Sequence, residues 1–145
     1  MTYPILLIVH LLAAAAFFGT LFFEVVILPG LRRQLPSGSR AVIDQALSRR
    51  AREVLHWVVL LLYGAGVALA WQHREQLSQP FSSVFSSLLS LKIVLALSIV
   101  GHYLLLAWLL SSGRMTPARS RRIHLAIFAQ LVAIALLAKS MFYLQ

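Results

Sequence analysis

Four long apolar runs, separated by short polar stretches, set the pattern of this chain: Pro4–Leu28, Glu53–Trp71, Val84–Leu110 and Ile123–Phe142. A bilayer core of about 30 Å takes roughly 20 helical residues at about 1.5 Å each, so each run is long enough to span. Pro29-Gly30 is expected to stop the first span, the Arg49–Glu53 stretch to open the second, and Ser111-Ser112-Gly113 to close the third. Only helices or a closed barrel satisfy the backbone in lipid, and runs of this length exclude the short alternating strands of a barrel. Short connections make consecutive helices antiparallel neighbours, which predicts an all-α, up-down-up-down four-helix bundle in a single domain over residues 1–145. Gly19, Gly64, Gly66, Gly101 and Ala13–Ala16 are expected to let helices approach closely. Tyr3, Trp57, Trp71, Trp108 and Tyr143 fall near the predicted ends, as an interfacial aromatic belt requires.

Charge gives the spans a direction. The stretch after the first span, with its boundary on the second, carries Arg32, Arg33, Arg40, Arg49, Arg50 and Arg52. The stretch after the third carries Arg114, Arg119, Arg121 and Arg122, whereas residues 72–83 hold only Arg74, offset by Glu75. The positive-inside rule places both Arg-rich stretches in the cytoplasm and both termini outside, which in a bacterium means the periplasmic face of the inner membrane. The N-terminal run lacks a basic leader and stays apolar to Leu28, so it reads as a retained span rather than a cleaved signal.

Composition narrows the chemistry. The chain is 60% hydrophobic and 12% charged, against about 25% charged in soluble domains. Its net charge of +9 is confined to short connections, which leaves no folded surface for a nucleic-acid groove. The absence of cysteine excludes disulfides, thiolate metal sites, iron–sulfur clusters and cysteine nucleophiles. No His-Glu-x-x-His pair supports a zinc protease, and Asp44, the only aspartate, lies in a basic stretch with no nucleophile elbow.

The polar residues within the apolar runs are the candidates for function. His10, His56, His102 and His124 lie on or just inside spans, with Glu24, Lys92 and Lys139. An imidazole or charge in lipid needs a partner, so each such residue is either structural or part of a site. Depth sorts them into an outer layer of His10, Lys92 and Lys139 and an inner layer of Glu24, His56, His102 and His124. At about 100° per residue, His10 and Glu24 differ by about 40°, Lys92 and His102 by about 80°, and His124 and Lys139 by about 60°. Each pair can thus share an inward face. A membrane bundle with several imidazoles suits haem, whose iron takes axial histidine. One haem or two can be placed: an inner one on His102 with His56 or His124, its propionates meeting Arg52, Arg121 or Arg122, and an outer one on His10 with Lys92. Copper is the competing metal, although soft Cu(I) favours sulfur and the three methionines form no cluster.

Four segments carry a resemblance: His10 within ILLIVHLLAAAAFFGTLFF followed by Leu28-Pro29-Gly30-Leu31-Arg32; SRRAREVLHW at the start of the second span; LLSLKIVLALSIVGHYLLL, with Lys92 and His102 ten residues apart; and RRIHLAIFAQLVAIALLAKSMF, with a late Lys139. Together they resemble the HemJ family of four-span proteins linked to protoporphyrinogen IX oxidation, and the related CopD-type membrane domain. The resemblance implies haem b, with His10 and Lys92 as the key catalytic-site residues and His102 as a further family-like position. It also implies a porphyrin substrate and electron delivery to a membrane acceptor such as quinone. The order Pro29-Gly30-Leu31-Arg32 departs from the family's more arginine-centred segment, and Glu24, His56 and His124 look additional. Three readings therefore stand: a haem-b membrane oxidoreductase or electron-transfer protein, a CopD-like copper transport or resistance module, and a structural subunit of a membrane complex. Lipid is a partner in all three, and a homo-oligomer is compatible with each.

Overall fold

The computed structural model describes residues 2–143. Among these there is no strand. The elements in order are α1 (Thr2–Phe22), a π turn (Phe23–Ile27), α2 (Leu28–Gln34), α3 (Ser37–Gln72), α4 (Arg74–Ser78), α5 (Val84–Ser111) and α6 (Pro117–Tyr143). Four helical stretches are long and apolar enough to cross a bilayer: Thr2–Gln34, Ser37–Gln72, Val84–Ser111 and Pro117–Met141. Leu60, Val67, Leu97, Leu104 and Leu136 are each more than half exposed. Surfaces so apolar along the length of each helix are those of a multi-pass membrane protein whose solvent is lipid. The chain divides into two compact units, one ending at Gln72 and the other beginning at His73.

In the first unit α1 packs on α3. Ala13, Phe17 and Leu21 recur every four residues and are all buried, opposite Leu62 and Ala65 of α3. Lipid tails are as apolar as these side chains, so close packing rather than water exclusion holds the pair. Pro29-Gly30 does not end the first span as the sequence predicts. In an α-helix the ring of Pro29 would clash with the carbonyl four residues back, at Val25. The π turn opens the hydrogen-bond ladder over that segment, and Pro29 falls in the first turn of α2, where a missing N–H costs little. The stop comes at Leu35, held extended (φ −87°, ψ 141°) by the proline that follows it.

The second span also begins earlier than expected. Residues 37–52 are helix, not loop, because Ala41, Gln45, Ala46, Leu47 and the arginines favour helix and no Gly or Pro interrupts the segment after Gly38 in its first turn. At 36 residues α3 is about 54 Å long, well beyond the hydrocarbon thickness of about 30 Å. Its polar half is tied to α2 where Arg32 Nε–H donates to Asp44 Oδ1 at 2.8 Å.

The second unit follows the sequence more closely at α5. Ser83 caps its start, its hydroxyl accepting from Ser86 N–H while Ser86 Oγ accepts from Ser83 N–H. At the other end Gly113 N–H donates to Leu110 C=O and Arg114 N–H to Leu109 C=O, the paired bonds of a Schellman stop. α6 begins at Pro117 rather than Ile123: proline suits the first helical position, and Thr116 Oγ1 accepts from Arg119 N–H. α5 packs on α6, with Ile99, Leu109, Ile123 and Ile127 buried. Gly113 has φ +67°, the left-handed conformation the stop requires. Gly113→Ala is expected to cost about 1 kcal/mol, read as a lower unfolding midpoint of the detergent-solubilised chain.

Candidate functional site

In the first unit His10 extends the buried stripe of α1 by one turn, lying three residues before Ala13 and seven before Phe17. Its Nδ1 lies 3.0 Å from the carbonyl oxygen of Leu62 on α3. A carbonyl only accepts, so Nδ1 carries the proton, and in the neutral ring the lone pair resides on Nε2. Gly66 makes this possible: a Cβ there would stand 3.2 Å from His10 Cε1 and 3.4 Å from Nδ1. Among the glycines expected to permit close helix approach, Gly19 and Gly64 have nothing within 4 Å of such a Cβ. The role of Gly66 is thus to seat one imidazole.

Two cross-links fix the antiparallel register of this hairpin, His10 to Leu62 and Arg32 to Asp44. By that register Glu24, on the π turn, is level with about residue 50 of α3. His56 lies ten residues before Gly66, about 15 Å along the axis, so His10 and His56 occupy different depths as expected. His56 is exposed, however, with the ring of Trp57 edge-on at 6.1 Å. Arg52 is exposed too, and its Nε–H donates to Ser48 C=O at 3.2 Å.

The second unit contains a comparable polar seat. His102 Nδ1–H donates to Ser98 C=O, one turn back, at 2.8 Å, and His124 Nδ1–H donates to Ser120 C=O at 2.9 Å. Three histidines thus share one arrangement, with Nδ1 spent on a backbone carbonyl and the Nε2 lone pair left as the ring's acceptor. This is the outer-shell arrangement that fixes tautomer and ring orientation in metal-ligating histidines. Ser98, Gly101, His102 and Leu105 line an open groove of ≈ 240 Å³. Ser98 Oγ also accepts from Gln130 Nε2 at 2.8 Å, which joins α5 to α6, while the buried Gln130 Oε1 has no hydrogen-bond partner among the described residues. Reasoning from the histidines alone missed Ser98, Gly66 and Gln130. A serine and a glutamine in mid-span are the same signal of a buried polar partner.

The Ser98–Gln130 bond fixes the register of α5 and α6. It sets His102 level with about residue 126, close in depth to His124, and Lys92 level with about residue 136, close to Lys139. Within this unit His102 shares a depth with His124, and Lys92 with Lys139, as the sequence predicts. The faces differ. Lys92 is half-buried, within about 20° of the face of buried Ile99, and no hydrogen bond or ion pair holds its amine among the described residues. Lys139 lies nine residues after Gln130, about 180° round the helix, exposed and with Nζ 5.1 Å from the Tyr143 ring centroid. Arg121 and Arg122 are exposed. Among the described residues no three His, Asp or Glu side chains come close enough to share a metal ion.

The chain matches no family model, no curated protein and no solved structure.

A pair of glycine substitutions tests the His10 seat. Gly64→Ala adds a methyl in open space and removes the helix cost of glycine, so it is expected to stabilise by about 0.5–1 kcal/mol. Gly66→Ala meets the ring, and is expected to be less stable than Gly64→Ala by about 1 kcal/mol or more in thermal unfolding in detergent.

Proposed function

We propose that the chain is a haem-b-binding oxidoreductase or electron-transfer protein of the bacterial inner membrane, in which His10 of the first unit and His102 of the second are separate candidates that would hold haem through Nε2. The observation that carries this reading is the pinning of Nδ1 on backbone carbonyls at 3.0 Å and 2.8 Å, which leaves Nε2 as the donor atom. The donor set suits haem better than copper. A porphyrin supplies four of the iron's ligands and asks the protein for one or two imidazoles. A bare copper ion asks for a cluster of side chains, and soft sulfur among them.

His124 shares the carbonyl-pinned arrangement and serves as a further ligand candidate beside His102. Bound haem supplies one-electron redox chemistry. The chain's own residues position it and move protons. Half-buried Lys92, in its neutral form, accepts a proton from a bound substrate and passes it outward. The groove at Ser98, Gly101, His102 and Leu105 admits one apolar edge of a flat ligand beside the imidazole. With a porphyrinogen as substrate, each two-electron step removes two hydrogens, and a quinone takes up the two electrons and two protons.

In this reading both termini are periplasmic and the two arginine-rich ends cytoplasmic. Trp57 and Trp108, each more than half exposed beside those ends, support a membrane interface at that depth.

Chain purified from haem-replete cells is expected to show a Soret band that moves on reduction. His10→Ala or His102→Ala is expected to lower pyridine-extractable haem by about tenfold or more. A colourless protein would overturn the assignment. Because the chain has no cysteine, single cysteines report orientation directly. An impermeant maleimide applied to spheroplasts is expected to label Gln76→Cys and to spare Ser39→Cys and Ser120→Cys.

A further inference from the structure

The outer face of α3 has a composition that neither a haem seat nor helix packing uses. At about 100° per residue, Arg49, Glu53, His56, Leu60, Val67 and Trp71 lie within about 60° of one line along the helix, and Arg52 within a further 40° or so. All seven are exposed. The line runs opposite Leu62 and Ala65, which face α1. It is therefore polar and basic at one end and apolar beyond, with the change at His56.

Charge at the polar end is unbalanced. Arg49 Nε lies 3.7 Å and Arg50 Nη1 3.2 Å from the same Glu53 carboxylate, and their side chains are 81% and 77% exposed. Arg52 spends only its Nε–H on Ser48 C=O, so its other N–H groups face outward. Two guanidinium groups share one carboxylate and Arg52 adds a third at the boundary where the apolar run begins, and the surplus of two positive charges fits an anion at headgroup depth. Just inside, Gly64 lies exposed between Leu60 and Val67, with nothing within 4 Å of the position a Cβ would take. This notch is about 12 Å along the axis from His56, within the roughly 15 Å depth of one leaflet.

We propose that this face binds an anionic phospholipid. Its phosphate lies on Arg49 and Arg52, His56 donates a hydrogen bond to it, and an acyl chain runs past Leu60 through the Gly64 notch to Val67. A zwitterionic lipid offers the same phosphate, but its ammonium is repelled by the arginine surplus, so headgroup charge decides retention. The lipid also explains why His56 and Arg52 face away from α1: their partner is the bilayer itself.

The test uses the full chain, purified from mixed micelles containing equal phosphatidylglycerol and phosphatidylcholine, with bound lipid counted by native mass spectrometry. Phosphatidylglycerol is expected to be retained over phosphatidylcholine by about tenfold. The Arg49→Gln/Arg52→Gln double variant is expected to bring the two to parity. Arg33→Gln/Arg40→Gln, which removes equal charge from the distal end of the hairpin, is expected to leave the preference intact. Gly64→Leu fills the notch without changing charge and is expected to lower retention severalfold in a chain that still folds. Equal retention of the two lipids by the unaltered chain overturns the proposal. So does an equal loss in both arginine doubles, or a lipid-free dimer that protects Trp57 and Leu60 from labelling.

Discussion

An imidazole within a bilayer must place its N–H on an acceptor, and here the acceptors are backbone carbonyls. Water is absent at that depth, and an unmatched polar hydrogen costs about 1–3 kcal/mol. His10 meets the demand across the helix pair, on Leu62, so the bond that satisfies the ring also sets the depth of α1 against α3. His102 and His124 meet it within their own helices, on the carbonyl one turn back. In each case one nitrogen is consumed by structure and the other carries the lone pair. The packing that stabilises the helices and the chemistry proposed for them thus share one hydrogen bond per histidine.

The spans were legible because lipid imposes one rule along their whole length: no run of that hydropathy stays helical and dry in any other solvent. The helix ends were legible only where a local device fixes them. Ser83 with Ser86 and the Gly113 stop announce themselves by residue type. Pro29-Gly30 misled, because a π turn absorbs the proline and hands the stop to Leu35-Pro36. The start of α3 misled for another reason. Residues 37–52 are too polar to span, yet their helix propensity carries the helix about 24 Å past the apolar boundary.

The candidate site was legible in depth and less so in face. Within each unit the register bonds His10–Leu62 and Ser98–Gln130 reproduce the depth order read from residue counting. Face depends on which side of each helix its neighbour takes, and hydropathy is silent about that in helices apolar all round. Hence Lys139 sits opposite Gln130, and His56 sits opposite Ala65, although the sequence groups both with inward-facing partners. Ser98 and Gln130 were hidden for a different reason, and Gly66 was legible only as a close-approach glycine. Each acts on a histidine or on its helix, so its meaning appears only when the histidine's own hydrogen bond is known.

His10 and His102 are held as Nδ1–H tautomers, with the ring lone pair on Nε2. Solid-state ¹⁵N spectra of the full chain without added haem, ring-labelled at histidine and reconstituted in lipid bilayers, read this directly. Single His→Gln variants assign the signals. Both residues are expected to show a protonated, pyrrole-type Nδ1 and a pyridine-type Nε2. A protonated Nε2 with a bare Nδ1 at either residue would contradict it.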